Sequence, residues 1–121
     1  MTLTDALATM LRVRAGGAAV VTWLQRLPAV GWTPGRRRLF GADPEVVTLG
    51  NWRLSPTDGG LRCQLVSGGV AVRSREESGM AAARLVADVI GQHSEGLTTS
   101  EREQVAVEIG ALCEAVAAGQ L

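Results

Sequence analysis

"LRCQLVSGGVAVRSRE", residues Leu61–Glu76, is two alternating runs joined by one Ser-Gly-Gly break. In the first, Leu61, Cys63 and Leu65 fall on one side and Arg62 and Gln64 on the other. In the second, Val70, Val72 and Ser74 oppose Ala71, Arg73 and Arg75. A period of two is that of a strand with one buried face, and a short glycine connection joins such strands as an antiparallel hairpin. Arg62, Arg73 and Arg75 are expected to share the solvent face.

The residues before the hairpin extend it. "EVVTLGNWRL", from Glu45 to Leu54, is rich in β-branched and aromatic residues, with Gly50-Asn51 as a bulge or turn. "SPTDGG" then has the composition of a turn. Together these segments predict a three-stranded antiparallel β-meander.

The flanks are helical. Thr2 can cap a helix with Asp5 three residues on, and Leu3, Leu7, Met10 and Leu11 follow on one face. Gly16-Gly17 weakens the pattern, which resumes as Val20, Trp23, Leu24 and Leu27 and stops at Pro28. One kinked helix or two helices would satisfy it. After the meander, Met80, Ala83, Val86 and Ile90 form a stripe that Leu85 and Val89 widen. A last helix is expected to begin with Ser100 as cap and Glu103 closing a capping box, with Val105, Ile109, Leu112 and Val116 as its apolar face. The expected fold is α+β over residues 1–121 as one domain: an N-terminal helical segment, a three-stranded antiparallel meander, and two C-terminal helices packed on one sheet face.

Composition narrows the function. The chain is 46% hydrophobic and 20% charged, which is the balance of a folded domain and not of a disordered one. All 12 basic residues are arginine. That usage reads as the codon bias of a GC-rich bacterial genome, and it excludes Schiff-base chemistry and a lysine-bearing phosphate loop. The net charge is zero, yet residues 1–41 carry +5 and residues 80–121 carry −4. Opposite ends of this kind attract each other, within one chain or between two copies.

Two cysteines 50 positions apart, Cys63 and Cys113, make neither a disulfide framework nor a zinc site, and both fall on apolar stripes. His93 is the only histidine, so a Cys–His nucleophile has few partners to recruit. No clustered carboxylates or paired cysteines supply a metal-ligand set, and no glycine-rich phosphate motif is present. No metal, cofactor or catalytic residue is expected. "AGGAAVVTWL" is too short to span a bilayer and no small-residue cleavage site follows it, so the segment is read as mature sequence of a cytoplasmic protein.

Leu97, Thr98, Glu101, Arg102, Glu103 and Val105 are similar to the opening of a LuxR-type helix-turn-helix. That family continues into a turn and a recognition helix. A single acidic helix follows here, so the stretch is read as a capped helix.

The remaining feature is the long connection from Pro28 to Glu45, where Arg36, Arg37 and Arg38 stand between Trp32 and Phe40. It reads as an irregular loop, with "RRRLF" as a short edge strand in the alternative. Arginine and tryptophan are the residues that anchor protein interfaces. The leading expectation is a small non-catalytic bacterial module of adaptor, chaperone-like or regulatory type. Its contact residues would be Trp32, Arg36, Arg37, Arg38 and Phe40. A homodimer is also expected, because a small sheet cannot hide its edges alone. One alternative is weak nucleic-acid binding by Arg36–Arg38 with Arg73 and Arg75, against which the zero net charge stands. Another is a small-ligand or enzymatic pocket between helices and sheet.

Overall fold

The computed structural model describes residues 1–120. Two short helices, α1 (Leu3–Leu11) and α2 (Gly16–Leu24), come first. Seven strands follow: β1 (Gly31–Thr33), β2 (Arg36–Arg37), β3 (Ala42–Asp43), β4 (Val46–Leu49), β5 (Trp52–Thr57), β6 (Gly60–Ser67) and β7 (Val70–Glu77). Helices α3 (Gly79–Glu95) and α4 (Thr99–Ala117) complete the chain. The fold is α+β, with an antiparallel five-stranded sheet in the order β1-β4-β5-β6-β7 and a separate pair β2-β3.

The sheet is therefore larger than the expected three-stranded meander. Gly50-Asn51 is a turn, with Gly50 in the left-handed region at φ 59°, and it divides "EVVTLGNWRL" into β4 and β5. The meander β4–β7 thus has four members, and β1 adds the fifth by pairing Trp32 with Val47.

Register follows burial. Val47, Leu54 and Cys63 lie side by side across β4, β5 and β6, and all three are fully buried. A slip of one residue would turn that row out to water, at about 1.5–3 kcal/mol for each large aliphatic exposed. The opposite face carries Thr48, Arg53, Gln64 and Arg62, which are exposed or half-buried. One correction follows from the pairing. Arg73 sits opposite Leu65 and Arg75 opposite Cys63, whereas Arg62 sits opposite Glu76. Arg73 and Arg75 are thus on the core-side face, past the reach of the helices, and Arg62 is on the other face with its ion-pair partner Glu76.

The helices all gather on one side. α2 and α3 rest on the strands, α1 packs on α2, α3 and α4, and α4 lies a layer out against α1 and α3. Of the two C-terminal helices expected on the sheet, α3 takes that place and α2 takes the other. Gly16-Gly17 begins α2 as a separate helix, after Ala15 turns left-handed at φ 63°. Thr2 caps α1 as expected, its Oγ1 accepting from the Asp5 N–H at 3.1 Å. The capping box of α4 sits two residues earlier than expected. Thr98 Oγ1 accepts from the Glu101 N–H at 3.1 Å, and the Glu101 carboxylate accepts from the Thr98 N–H at 3.0 Å. Thr98-x-x-Glu101 and Ser100-x-x-Glu103 both fit the pattern, and the earlier start sets buried Leu97 directly before the cap. The stripe Val105, Leu112 and Val116 is buried and Ile109 is half-buried, as the spacing predicts. Met80, placed in the α3 stripe by spacing, is 38% exposed at the first turn. No described helix is long and apolar enough to cross a membrane.

Candidate functional site

The connection expected to be irregular is an ordered arm. β2 and β3 pair Arg36 with Asp43 and Arg37 with Ala42. The Arg38 N–H donates to the Gly41 carbonyl at 3.1 Å, which leaves Leu39 and Phe40 as the hairpin tip. Gly41 takes φ 90°, a conformation that glycine adopts without strain. Arg38 Nε donates to Asp43 Oδ2 at 2.7 Å, closing the arm by a charge-assisted bond. At its root, Trp32 Nε1 donates to Glu45 Oε2 at 3.2 Å.

Four of the five residues singled out from sequence, Arg36, Arg37, Arg38 and Phe40, lie on this arm, and Trp32 lies at its root on β1 of the main sheet; every residue from 31 to 42 is exposed. Leu39 and Phe40 are each 91% exposed, and Trp32 is 51% exposed. The arm presents two apolar side chains at its tip with guanidinium groups behind them. Leu39 belongs with the candidates, and its place beside Phe40 was the only sequence signal for it.

The other arginines do not join this group. The arm leaves the sheet between β1 and β4, while Arg73 and Arg75 lie on β7 at the far edge, with β4, β5 and β6 between β1 and β7. At about 4.8 Å per strand spacing, the two edges stand roughly 19 Å apart. Arg75 is also paired with Glu77 at 2.9 Å.

The other residues singled out from sequence make contacts within the fold. Trp23 is buried in the core, and Trp52 Nε1 donates to Gln92 Oε1 at 3.3 Å, tying the sheet to α3. His93 Nε2 donates to the Pro28 carbonyl at 2.8 Å and so pins the end of α3 to the segment after α2. The clefts that His93 lines, of about 430 and 460 Å³, include neither cysteine. Burial pushes the Cys63 thiol up to about 11, with nearby Glu77 adding to the effect and Arg75 opposing it. A thiol held protonated in this way is a poor nucleophile. Among the described residues, no group of three or more His, Cys, Asp or Glu side chains is placed to hold a metal ion.

Sequence reasoning missed a groove of about 300 Å³ between α2 and α4, floored by Met10 of α1. Arg26 and Glu108 both line it. Its only trace in the sequence is alanine at Ala19, Ala111 and Ala115, which on a helix signals good propensity as readily as a gap.

These elements define a small α+β protein with four helices backing one face of an antiparallel sheet and an exposed arm at one edge. The chain belongs to the family described as "Domain of unknown function (DUF5073)", whose model matches residues 2–118. No curated protein and no solved structure matches it.

Proposed function

We propose that this chain is a non-catalytic interaction module of the bacterial cytoplasm, of adaptor, chaperone-like or regulatory type, and that it grips a protein partner with Trp32 at the root of the arm and Arg36, Arg37, Arg38, Leu39 and Phe40 on it. The observation that carries this reading is the 91% exposure of both Leu39 and Phe40 on an internally bonded hairpin. A large apolar side chain left in water forgoes about 1.5–3 kcal/mol of burial, which a partner's surface would supply. Arg36 and Arg37 stand beside the tip, without carboxylate partners among the described residues, and are free to meet acidic groups on that partner. Two free cysteines fit a reducing compartment.

A photo-crosslinking residue placed at Phe40 in the native host tests the proposal, with the exposed turn position Asp58 as control. The expected result is a discrete adduct from position 40 that disappears when Arg36 and Arg37 are changed to Glu, with the melting temperature nearly unchanged and Arg38 kept because it closes the arm on Asp43. Equal labelling from positions 40 and 58 would refute the reading.

The module is also a homodimer in this proposal, paired along β7. Support comes from the position of β7 at the sheet edge and from Val70 and Val72, which are 65% and 60% exposed. An unpaired edge of eight residues is a template for a further strand.

A further inference from the structure

We propose that the groove between α2 and α4 binds a small zwitterion with a compact apolar side chain, the chemistry of a free apolar α-amino acid. Two helical stripes build its walls. Ala19, Thr22, Trp23 and Arg26 come from α2 and the turn that continues it. Glu108, Ala111, Leu112 and Ala115 come from α4. Each set follows the i, i+3, i+4, i+7 spacing that places residues on one face of a helix. Three alanines leave space where longer side chains would have met, and Met10, Trp23 and Leu112 give the space an apolar lining.

Each wall contributes one charge, and the charges have opposite sign. They do not satisfy each other. The ion pairs among the described residues are Arg38–Asp43, Arg62–Glu76 and Arg75–Glu77. Among the described residues Glu108 meets only the Gln104 amide, whose Nε2 donates to it at 3.3 Å. An apolar groove with an unpaired guanidinium and an unpaired carboxylate on its rim selects its ligand by elimination. A fatty acid would satisfy Arg26 and be repelled by Glu108. An amine would do the reverse, and a neutral hydrocarbon would answer neither. A molecule carrying both a carboxylate and an ammonium group answers both, and like-charge mismatch excludes the others. The volume of about 300 Å³ is at the low end for ligand sites, which suits a ligand of amino-acid size.

Titration of the full chain with L-leucine and L-phenylalanine, by calorimetry and by the indole NMR signal of Trp23, tests the proposal. Saturable binding is expected at up to millimolar ligand, with a shift of the Trp23 signal. N-acetyl-L-leucine lacks the cation and L-leucinamide lacks the carboxylate, so each should bind at least about tenfold more weakly. Arg26→Gln should weaken leucine and leave leucinamide unchanged, and Glu108→Gln should weaken leucine and leave N-acetyl-leucine unchanged. Ala111→Phe should fill the groove and abolish binding, and because residue 111 is exposed the fold should persist; Ala19→Leu, at another exposed position, repeats the test from the other wall. The proposal is overturned by the absence of saturable binding, by equal affinity for the blocked analogues, by tighter binding of octanoate, or by binding that survives both filling variants.

Discussion

A Cβ on Gly17 would run into the carbonyl oxygen of Gly60, so the first turn of α2 lies against the start of β6 backbone to backbone. Gly60 in turn admits no Cβ, because the Glu77 carbonyl oxygen of β7 occupies the place. Two glycines thus set the depth at which α2 seats on the sheet. Helix propensity alone favours alanine at residue 17 by about 1 kcal/mol. The collision, with main chain that cannot rotate away, works against it. Overpacking costs about 1–3 kcal/mol even against mobile side chains. Gly17→Ala is expected to lower stability by about 2 kcal/mol or more, read as a fall of several degrees in melting temperature. An increase would show that α2 can lift without loss.

Ala15, two residues earlier, predicts the opposite sign. It stands at the N-cap of α2 with φ 63° and makes no side-chain capping bond. A left-handed conformation costs a Cβ-bearing residue about 1–2 kcal/mol, and glycine is also the better N-cap. Ala15→Gly is expected to stabilise the protein by about 1 kcal/mol in urea denaturation, net of the greater freedom glycine gives the unfolded chain. No change would mean that the unfolded chain recovers the whole gain.

What the sequence made legible follows from where burial is one-sided. The rows Leu61, Cys63 and Val105, Leu112, Val116 can be read because one wet face forces a period on the chain. β1 cannot be read that way, since Gly31–Thr33 is three residues long and has no buried residue to mark a face. The face carrying Arg73 and Arg75 depends on the register that sets them opposite Leu65 and Cys63, and alternation within β7 alone does not state it. The arm residues stand out by composition, whereas their hairpin depends on the Arg38–Asp43 and Trp32–Glu45 contacts, which no periodicity encodes. Gly17 looks like a weak point in a helix until Gly60 is placed beneath it.

Cys63 gives a pH-dependent prediction. Its thiol is raised to about 11 in the folded protein, chiefly by burial. In the unfolded chain it ionises near its ordinary value of 9.0. Below that value both states hold the proton and the contribution to stability is complete. Between the two values only the unfolded chain ionises, so stability falls as pH rises, by about 3 kcal/mol once the folded value is passed. Cys63→Ala should lower stability at neutral pH and flatten this alkaline decline in urea denaturation. In the native protein at neutral pH, a thiol reagent should modify half-buried Cys113 well before Cys63. Equal rates would contradict the packing.

The start of α4 separates two capping boxes that the sequence cannot tell apart. Thr98→Ala removes the hydroxyl that accepts the Glu101 N–H and should cost about 1 kcal/mol. Ser100→Ala should leave the melting temperature nearly unchanged, because Ser100 lies inside the first turn and is exposed. Hydrogen bonding to the Thr98 backbone, then to its side chain, holds the Glu101 carboxyl below its ordinary value. That contribution is present above the unfolded Glu value and is lost as pH falls through the lowered folded value. Glu101→Gln should therefore reduce the loss of stability below about pH 4.3. A larger effect from Ser100→Ala than from Thr98→Ala would move the cap back by two residues.

Dimerisation along β7 is tested through its charges. Arg73, Arg75 and Glu77 share one face of the strand. When two copies pair antiparallel about an axis normal to the sheet, a residue meets only residues of its own face. With Arg75 on the axis, Arg73 of each copy lies opposite Glu77 of the other, and the attraction occurs twice. The two Arg75 side chains then face each other, each held by its own Glu77 at 2.9 Å. Opposite charges directly across a strand pair contribute about 0.2–1 kcal/mol, and like charges cost a similar amount. Arg73→Glu replaces two attractions by two repulsions, so the dimer should weaken by on the order of tenfold in sedimentation or light scattering. Adding Glu77→Arg to that variant should restore much of the loss, which a change in folding alone would not do. A wild-type chain that stays monomeric up to millimolar concentration would remove β7 as an interface and leave its arginines as protection of a bare edge.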